Sequence, residues 1–147
     1  MWPLATILLV GALLIGGAIW GASRLLLGPS PEAKQRAEQT AVVVRLTTAV
    51  RLVTPTGSEE VRLSPHPCQP GDSGQTYVER ELHFDRTFDQ RALTEQVISA
   101  YVARGWTRDP THDGMADSGT RYVHVIGEPT RRGLLIDAFD GADEASC

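Results

Sequence analysis

The sequence has 147 residues, with 14 Lys and Arg against 18 Asp and Glu, and a net charge of −4 at pH 7. A mildly acidic chain whose basic residues are scattered argues against nucleic-acid binding, because neutralising phosphate groups takes clustered Lys and Arg. The length suits one small domain in addition to a targeting segment.

The first element in chain order is an uncharged stretch at residues 4–23, LATILLVGALLIGGAIWGAS. As a helix it would extend about 30 Å, the thickness of the hydrocarbon core of a bilayer. No Lys or Arg precedes it, so we interpret residues 1–27 as an uncleaved anchor and 28–147 as a single extracytoplasmic domain. Gly17 and Gly21 have the spacing of a helix-packing motif, which leaves a homodimer in the membrane as an alternative to a monomer.

The side of the membrane that carries the domain is left open by two opposing signals. Arg24, Lys34 and Arg36 all follow the apolar stretch, and the positive-inside rule would therefore place the domain in the cytoplasm. The two cysteines favour the outside, where disulfides persist. We predict a single-pass protein of the cell membrane with its C-terminal domain outside, and a cytoplasmic domain is the alternative.

A helix is predicted at residues 32–53, either docked on the sheet of the domain or continuing from the anchor as a stalk. Ser30 is suited to cap its N-terminus, and Pro31 is suited to its first turn. Pro55 and Gly57 end it. Its apolar positions recur at helical spacing: Val43, Leu46, Val50 and Val53.

The next region, residues 54–74, is rich in Pro and Gly, and only 60–63 is predicted there as a short strand. Residues 76–84 alternate between polar and apolar side chains, so they are predicted to form a strand whose apolar side faces the core. Arg80 lies on this apolar side, and we place it near a sheet edge.

A second helix is predicted at residues 88–104, with Gly105 at the position where a left-handed residue commonly ends a helix. Residues 109–119 are predicted as polar turns. Two further strands, 122–126 and 134–139, are predicted to form a hairpin. This order predicts an α+β fold, in which a small antiparallel sheet carries helices on one face.

Three short motifs have the appearance of functional sites, and we interpret each as structural. The sequence GDSG at residues 71–74 matches the surroundings of a protease nucleophile, but the domain is too small for the scaffold of such a protease. His66 and Cys68 are one pair of ligands, whereas a structural zinc site usually has two pairs. Three aspartates recur every four residues without the spacing of a calcium loop: Asp109, Asp113 and Asp117. We therefore assign no catalytic, cofactor-binding or metal-binding residue.

The two cysteines, Cys68 and Cys147, are predicted to form a disulfide. Cys68 lies in a Pro-rich turn before the first clear strand, and Cys147 follows the last one, so the bond would join the two ends of a small sheet. Closing a loop of about 80 residues stabilises a fold by about 4.5 kcal/mol in the chain-entropy estimate. Two unrelated thiols in a reducing cytoplasm are the alternative.

The layout of the chain resembles that of small membrane-anchored extracytoplasmic proteins of actinobacteria. The resemblance lies in a Pro-flanked cysteine (PHPCQPG), an alternating strand, a helix ending in ARGW, a terminal hairpin and a last cysteine. It implies an outward-facing domain. Many such proteins carry a lipid on an N-terminal cysteine, which this chain lacks, so its apolar helix would be the anchor.

No constellation of residues specifies a reaction, and we predict that the protein is not an enzyme. The predicted function is that of a membrane-tethered binding or accessory module, whose sheet face or loops contact another envelope protein or a small ligand. A small cell-envelope enzyme is the alternative. A pocket with three or more convergent titratable groups would favour the enzyme, whereas an apolar groove with an aromatic rim would favour binding.

Overall fold

The computed structural model describes residues 28–68, 75–128 and 132–141 of the chain. The chain divides into two units, Met1–Ala37 and Glu38–Cys147. The sheet and the apolar core described below belong to the second unit.

Several sequence predictions fall on residues outside the described ranges. These are the membrane anchor at 4–23 with its pair Gly17 and Gly21, the GDSG motif at 71–74, and Cys147. Among the described residues, no helix combines the length and the apolar character needed to cross a membrane.

In the described part of the chain, two helices and one antiparallel sheet of six strands form an α+β fold, as predicted. The helices are α1, Pro31–Arg51, and α2, Gln90–Val102. The strands are β1, Ser58–His66; β2, Tyr77–Phe84; β3, Thr107–Arg108; β4, Met115–Ser118; β5, Arg121–Glu128; and β6, Gly133–Asp140. Their spatial order is β1-β2-β6-β5-β4-β3, so the predicted hairpin of β5 and β6 lies inside the sheet.

Both helices begin at a side-chain cap. The Ser30 hydroxyl oxygen accepts a hydrogen bond from the Ala33 N–H at 3.2 Å, which confirms the predicted start of α1. The Asp89 carboxylate does the same for the Ala92 N–H at 2.9 Å, at the start of α2. Gly105 follows α2 with a φ of 88°, the left-handed conformation that its position predicts.

One face of the sheet is buried under both helices. Alternate residues of β2 and β6 are buried, so the apolar side of residues 76–84 faces the core as predicted. Side chains from α1, α2 and the sheet form a single apolar cluster. Its members include Val42, Leu46 and Val50 from α1, Leu93, Val97 and Tyr101 from α2, and Leu82, Val123 and Ile136 from the sheet.

Arg80 lies on the core side of β2, the strand beside the edge strand β1, so it is near a sheet edge as predicted, but it is buried there. Only 4% of its surface is exposed. One guanidinium nitrogen donates to the carbonyls of Val50 at 3.0 Å and Val53 at 2.9 Å. The other nitrogens donate to the Thr54 hydroxyl at 3.1 Å and the Glu60 carboxylate at 2.8 Å. The buried charge therefore satisfies carbonyls at the C-terminal end of α1, which no helical N–H reaches.

Tyr101 holds the same end of α1 from the second helix. Its hydroxyl donates to the Ala49 carbonyl at 2.9 Å. Burial raises the pKa of Tyr101 far above its usual range, so the hydroxyl keeps its proton. Its ring meets Trp106 edge-on, with the centroids 5.3 Å apart.

Two strand predictions need correction. β1 has nine residues, whereas the sequence predicts only 60–63, because a bulge between Glu60 and Arg62 and the presence of Pro65 interrupt the alternation of this edge strand. β4 lies inside 109–119, predicted as turns. Its four residues carry no alternating pattern and become a strand by pairing with β5.

Candidate functional site

We name the side of the sheet opposite the two helices the open face. In an antiparallel sheet, residues directly paired on neighbouring strands point to the same face. The register aligns one residue each from β1, β2, β6 and β5 into a row across this face: His66, Tyr77, Phe139 and Tyr122. The open face therefore carries a continuous row of rings.

The rings of this row stack in two separate pairs. His66 and Tyr77 lie with their centroids 4.3 Å apart and their planes 13° apart. Phe139 and Tyr122 lie 5.3 Å apart, with planes 12° apart. Among the described residues, no ring contact joins Tyr77 to Phe139, although the two residues are paired in register. A slot therefore separates the two stacked pairs.

The slot is a small cavity of about 300 Å³. Its walls are Tyr77 and Phe139, and the remaining lining residues are polar: Gln75, His124 and Asp137. Asp137 precedes Phe139 by two residues on β6 and so points to the same face. A carboxylate and an imidazole therefore lie between two aromatic side chains.

Asp137 carries a charge that its surroundings do not neutralise. Its Oδ1 atom is sheltered from solvent and has no hydrogen-bond partner among the described residues. Burial, followed by the negative charge of Glu79, raises the pKa of Asp137 to about 6, and His66 lowers it by less. At neutral pH the group is ionised, although its environment disfavours the charge.

The guanidinium of Arg62, which lies on the open face, is engaged by other carboxylates. Arg62 pairs with the Glu79 carboxylate, and its Nε lies 3.5 Å from Oε2 of Glu81. No ion pair between described residues includes Asp137. Its carboxylate therefore lacks a cation from its own domain within the described ranges.

His124 is paired in register with Asp137. Burial, followed by the positive charge of His112, lowers the pKa of His124 from its usual value. The imidazole is therefore neutral at pH 7, when one ring nitrogen can donate a hydrogen bond and the other can accept one. His124 also borders a second cavity, which lies at the start of α2.

This second cavity is a cleft of about 790 Å³ beside β5 and the N-terminal end of α2. Five titratable residues line it: Asp89, Arg91, Glu95, Asp113 and His124. Two of its acids already have partners, since Asp89 caps α2 and the Glu95 carboxylate lies 2.6 Å from Nη2 of Arg108. The cleft is thus larger and more polar than the slot, but part of its charge stabilises the fold.

The two cysteines predicted to pair are described only in part. Cys68 is buried at 7% exposure, and its N–H donates to the Thr76 hydroxyl at 3.2 Å. Its carbonyl accepts from the Gln39 amide at 2.9 Å, which connects this turn to α1. Cys147 lies outside the described residues, so the disulfide stays a prediction.

The residues weighed as metal ligands have other surroundings. Both oxygens of Asp109 are engaged, one by the hydroxyl and the N–H of Thr111 and the other by His112 at 2.9 Å. These bonds, with Thr111 first, hold the pKa of Asp109 well below its usual range. Asp113 borders the cleft, and Asp117 lies opposite Tyr122 in the register of β4 and β5. Among the described residues, no three potential ligands gather as a metal site would require.

Sequence reasoning does not single out Tyr77, Asp137 and Phe139 as a site. Asp137 belongs to none of the motifs considered from the sequence. The alternation of residues 134–139 does put Asp137 and Phe139 on one face, but only the pairing of β6 with β2 brings Tyr77 beside them.

Comparison with known proteins adds no assignment. No protein-family model matches the chain, and neither a curated protein nor a solved structure matches it. The functional proposal therefore depends on the chemistry of the open face and of the cleft.

Proposed function

We propose that this chain is a membrane-tethered extracytoplasmic binding or accessory module, which contacts another envelope protein or a small ligand through its open face. The observation that carries the proposal is the slot between Tyr77 and Phe139, with Asp137 at its side. Oδ1 of Asp137 is sheltered and has no hydrogen-bond partner among the described residues, which lowers the stability of the domain. A ligand that neutralises this carboxylate would offset part of that cost.

The membrane location is supported by the sequence. The uncharged length of residues 4–23 fits a bilayer, and the pair Cys68 and Cys147 favours an oxidising compartment. In this arrangement 1–27 is the anchor and 28–147 is the outer domain. Both helices pack on one face of the sheet, which leaves the opposite face for a partner.

Site-specific photo-crosslinking in native membranes tests the proposal. A benzophenone amino acid replaces Tyr77 in the full-length chain, and a matched probe replaces Val102. The two positions are similarly exposed, at 39% and 43%, but Val102 lies on α2, on the helical side of the domain. We expect a crosslinked product from position 77 that is absent from position 102. Crosslinking from position 102 alone, or from neither position, would contradict contact with an envelope protein through the open face.

A small envelope enzyme is the second candidate, and the cleft beside α2 favours it. Its five titratable residues meet the criterion of three or more such groups in one pocket. The neutral imidazole of His124 is suited to act as a general base. A panel of chromogenic ester, amide, phosphoester and glycoside substrates tests this candidate. Turnover by the native chain that is lost in His124→Gln would support it, and no turnover would reject it for these four classes.

A further inference from the structure

We infer that the slot between Tyr77 and Phe139 binds an alkylammonium or guanidinium group, the chemistry of a Lys or Arg side chain or of a small free amine. This inference rests on the proposed binding function and names the chemical class of the ligand. Three features carry it: the orientation of the rings, the charge of Asp137 and the charges around the slot.

The two walls of the slot present aromatic faces to each other. Tyr77 stacks on His66 with nearly parallel planes, so its other face is turned towards β6. Phe139 stacks on Tyr122 in the same way, so its other face is turned towards β2. The face of an aromatic ring carries a negative electrostatic potential and attracts cations within about 6 Å of the centroid. A cation entering the slot therefore meets favourable potential from both sides.

Asp137 supplies the formal charge that selects a cation. The Asp137 side chain lines the slot and forms no ion pair with another described residue, and every polar N–H of an ammonium or guanidinium group can donate a hydrogen bond to a carboxylate. An anionic ligand would add to the repulsion that Glu79 already exerts on Asp137. A neutral ligand would leave the charge uncompensated, so a cation is the class that the slot favours.

The charged and titratable groups that face Asp137 agree with this choice. Glu79 faces it from β2, His124 from β5, and His66 acts on it from β1. Glu79 also forms an ion pair with Arg62, and the same guanidinium lies 3.5 Å from Oε2 of Glu81. The carboxylates of Asp137 and Glu79 therefore outnumber the one guanidinium, that of Arg62, and the local field attracts cations.

Binding should depend on pH because the ligand requires the ionised carboxylate. The pKa of Asp137 is raised to about 6, so affinity is full well above this value and falls about tenfold for each pH unit below it. The pH profile must therefore be read together with a variant that removes the carboxylate.

The test uses the full-length chain in detergent micelles and three probes of similar shape: n-butylammonium, n-butylguanidinium and n-butanol. Binding is followed by NMR shifts of isotopically labelled Tyr and Phe rings. Asp137→Asn removes the charge with almost no change in volume. Asp117→Asn is the matched control, because Asp117 lies on the same face beside Tyr122 but does not line the slot.

We expect both cations to bind at pH 7.5 and butanol to bind at least about tenfold more weakly, the equivalent of one pKa unit of charge interaction. Asp137→Asn should lose this preference together with its pH dependence, and Asp117→Asn should retain both. If a lysine-containing peptide binds more tightly than n-butylammonium, the natural ligand is a side chain of a protein partner. If the peptide and n-butylammonium bind equally, the natural ligand is a small free amine. Both of these results support the inference.

Equal binding of butanol and the cations would overturn the inference, and so would unchanged cation binding by Asp137→Asn. Failure of this inference is distinguishable from failure of the proposed function. If the cations do not bind but position 77 still crosslinks a partner, the binding function stands and the ligand class is wrong. If the cations bind but crosslinking fails, the slot is a cation site and the proposed partner contact is wrong.

Discussion

Replacing Asp137 by Asn should stabilise the unliganded protein at pH 7 and leave its stability nearly unchanged at pH 4. The pKa of Asp137 is about 6 in the folded protein, whereas an unfolded Asp has a pKa of about 3.9. The folded state therefore binds this proton more tightly. The resulting stability is fully present below about pH 4 and is lost as the pH rises through about 6. Asn does not titrate, so the variant does not undergo this loss.

The size of the effect follows from the shift in pKa. A difference of about two units corresponds to about 3 kcal/mol at about 1.4 kcal/mol per unit. Asp137 is only half-buried, and solvent screens part of this energy, which leaves about 1–1.5 kcal/mol. For a domain of this size, such a change raises the melting temperature by about 4–8 °C.

Thermal unfolding followed by circular dichroism, at pH 4 and pH 7, measures this difference on the full-length chain in detergent. Every other side chain is the same in both proteins, so the comparison isolates the carboxylate of Asp137. Asp117→Asn, on the same face, is the control and should shift the melting temperature little at either pH. The reasoning would be refuted if Asp137→Asn raised the melting temperature by the same amount at pH 4 and pH 7. The carboxylate would then not be an uncompensated charge in the folded protein.

Three further predictions concern the core and the cysteines. Arg80→Met should lower the free energy of unfolding by about 3–5 kcal/mol, because it removes a buried charge from its partners. Arg62→Met breaks exposed ion pairs and should change the free energy of unfolding by less than about 1 kcal/mol. Urea unfolding of both variants compares the two values. Val97→Asp should cost about 3 kcal/mol or more by burying an unpaired charge, and a melting curve like that of the native chain would show that this position lies outside the core. Alkylation of whole cells should leave Cys68 and Cys147 unlabelled until reduction, as judged by intact mass, and two thiols labelled before reduction would overturn both the disulfide and the outside location.

The sequence predicts the parts of the fold that depend on local periodicity. The alternation of residues 76–84 identifies β2 and the side that faces the core, and the caps at Ser30 and Gly105 mark helix ends. Arg80 shows the limit of such reasoning. Alternation places its side chain on the core face, but the carbonyls that bind it come from α1, about 30 residues earlier in the chain.

The candidate site was harder to predict because it depends on register. Tyr77 and Phe139 are far apart in the sequence, and only the pairing of β2 with β6 places them on opposite sides of one slot. The sequence does not show that Asp137 has no ion pair with another described residue, since that depends on where Arg62 and its two glutamates lie. A local pattern predicts which face a residue occupies, whereas the neighbours on that face follow from tertiary structure.

The end of α1 has a consequence for the order in which the protein folds. Its last carbonyls are bound by Arg80 of β2 and by Tyr101 of α2, through hydrogen bonds that span 30 and 52 residues of chain. Closing loops of this length carries an entropic penalty that local helix formation does not. We therefore expect the last turn of α1 to be completed only after β2 and α2 have docked, and its amide hydrogens to exchange with solvent only when the whole domain opens.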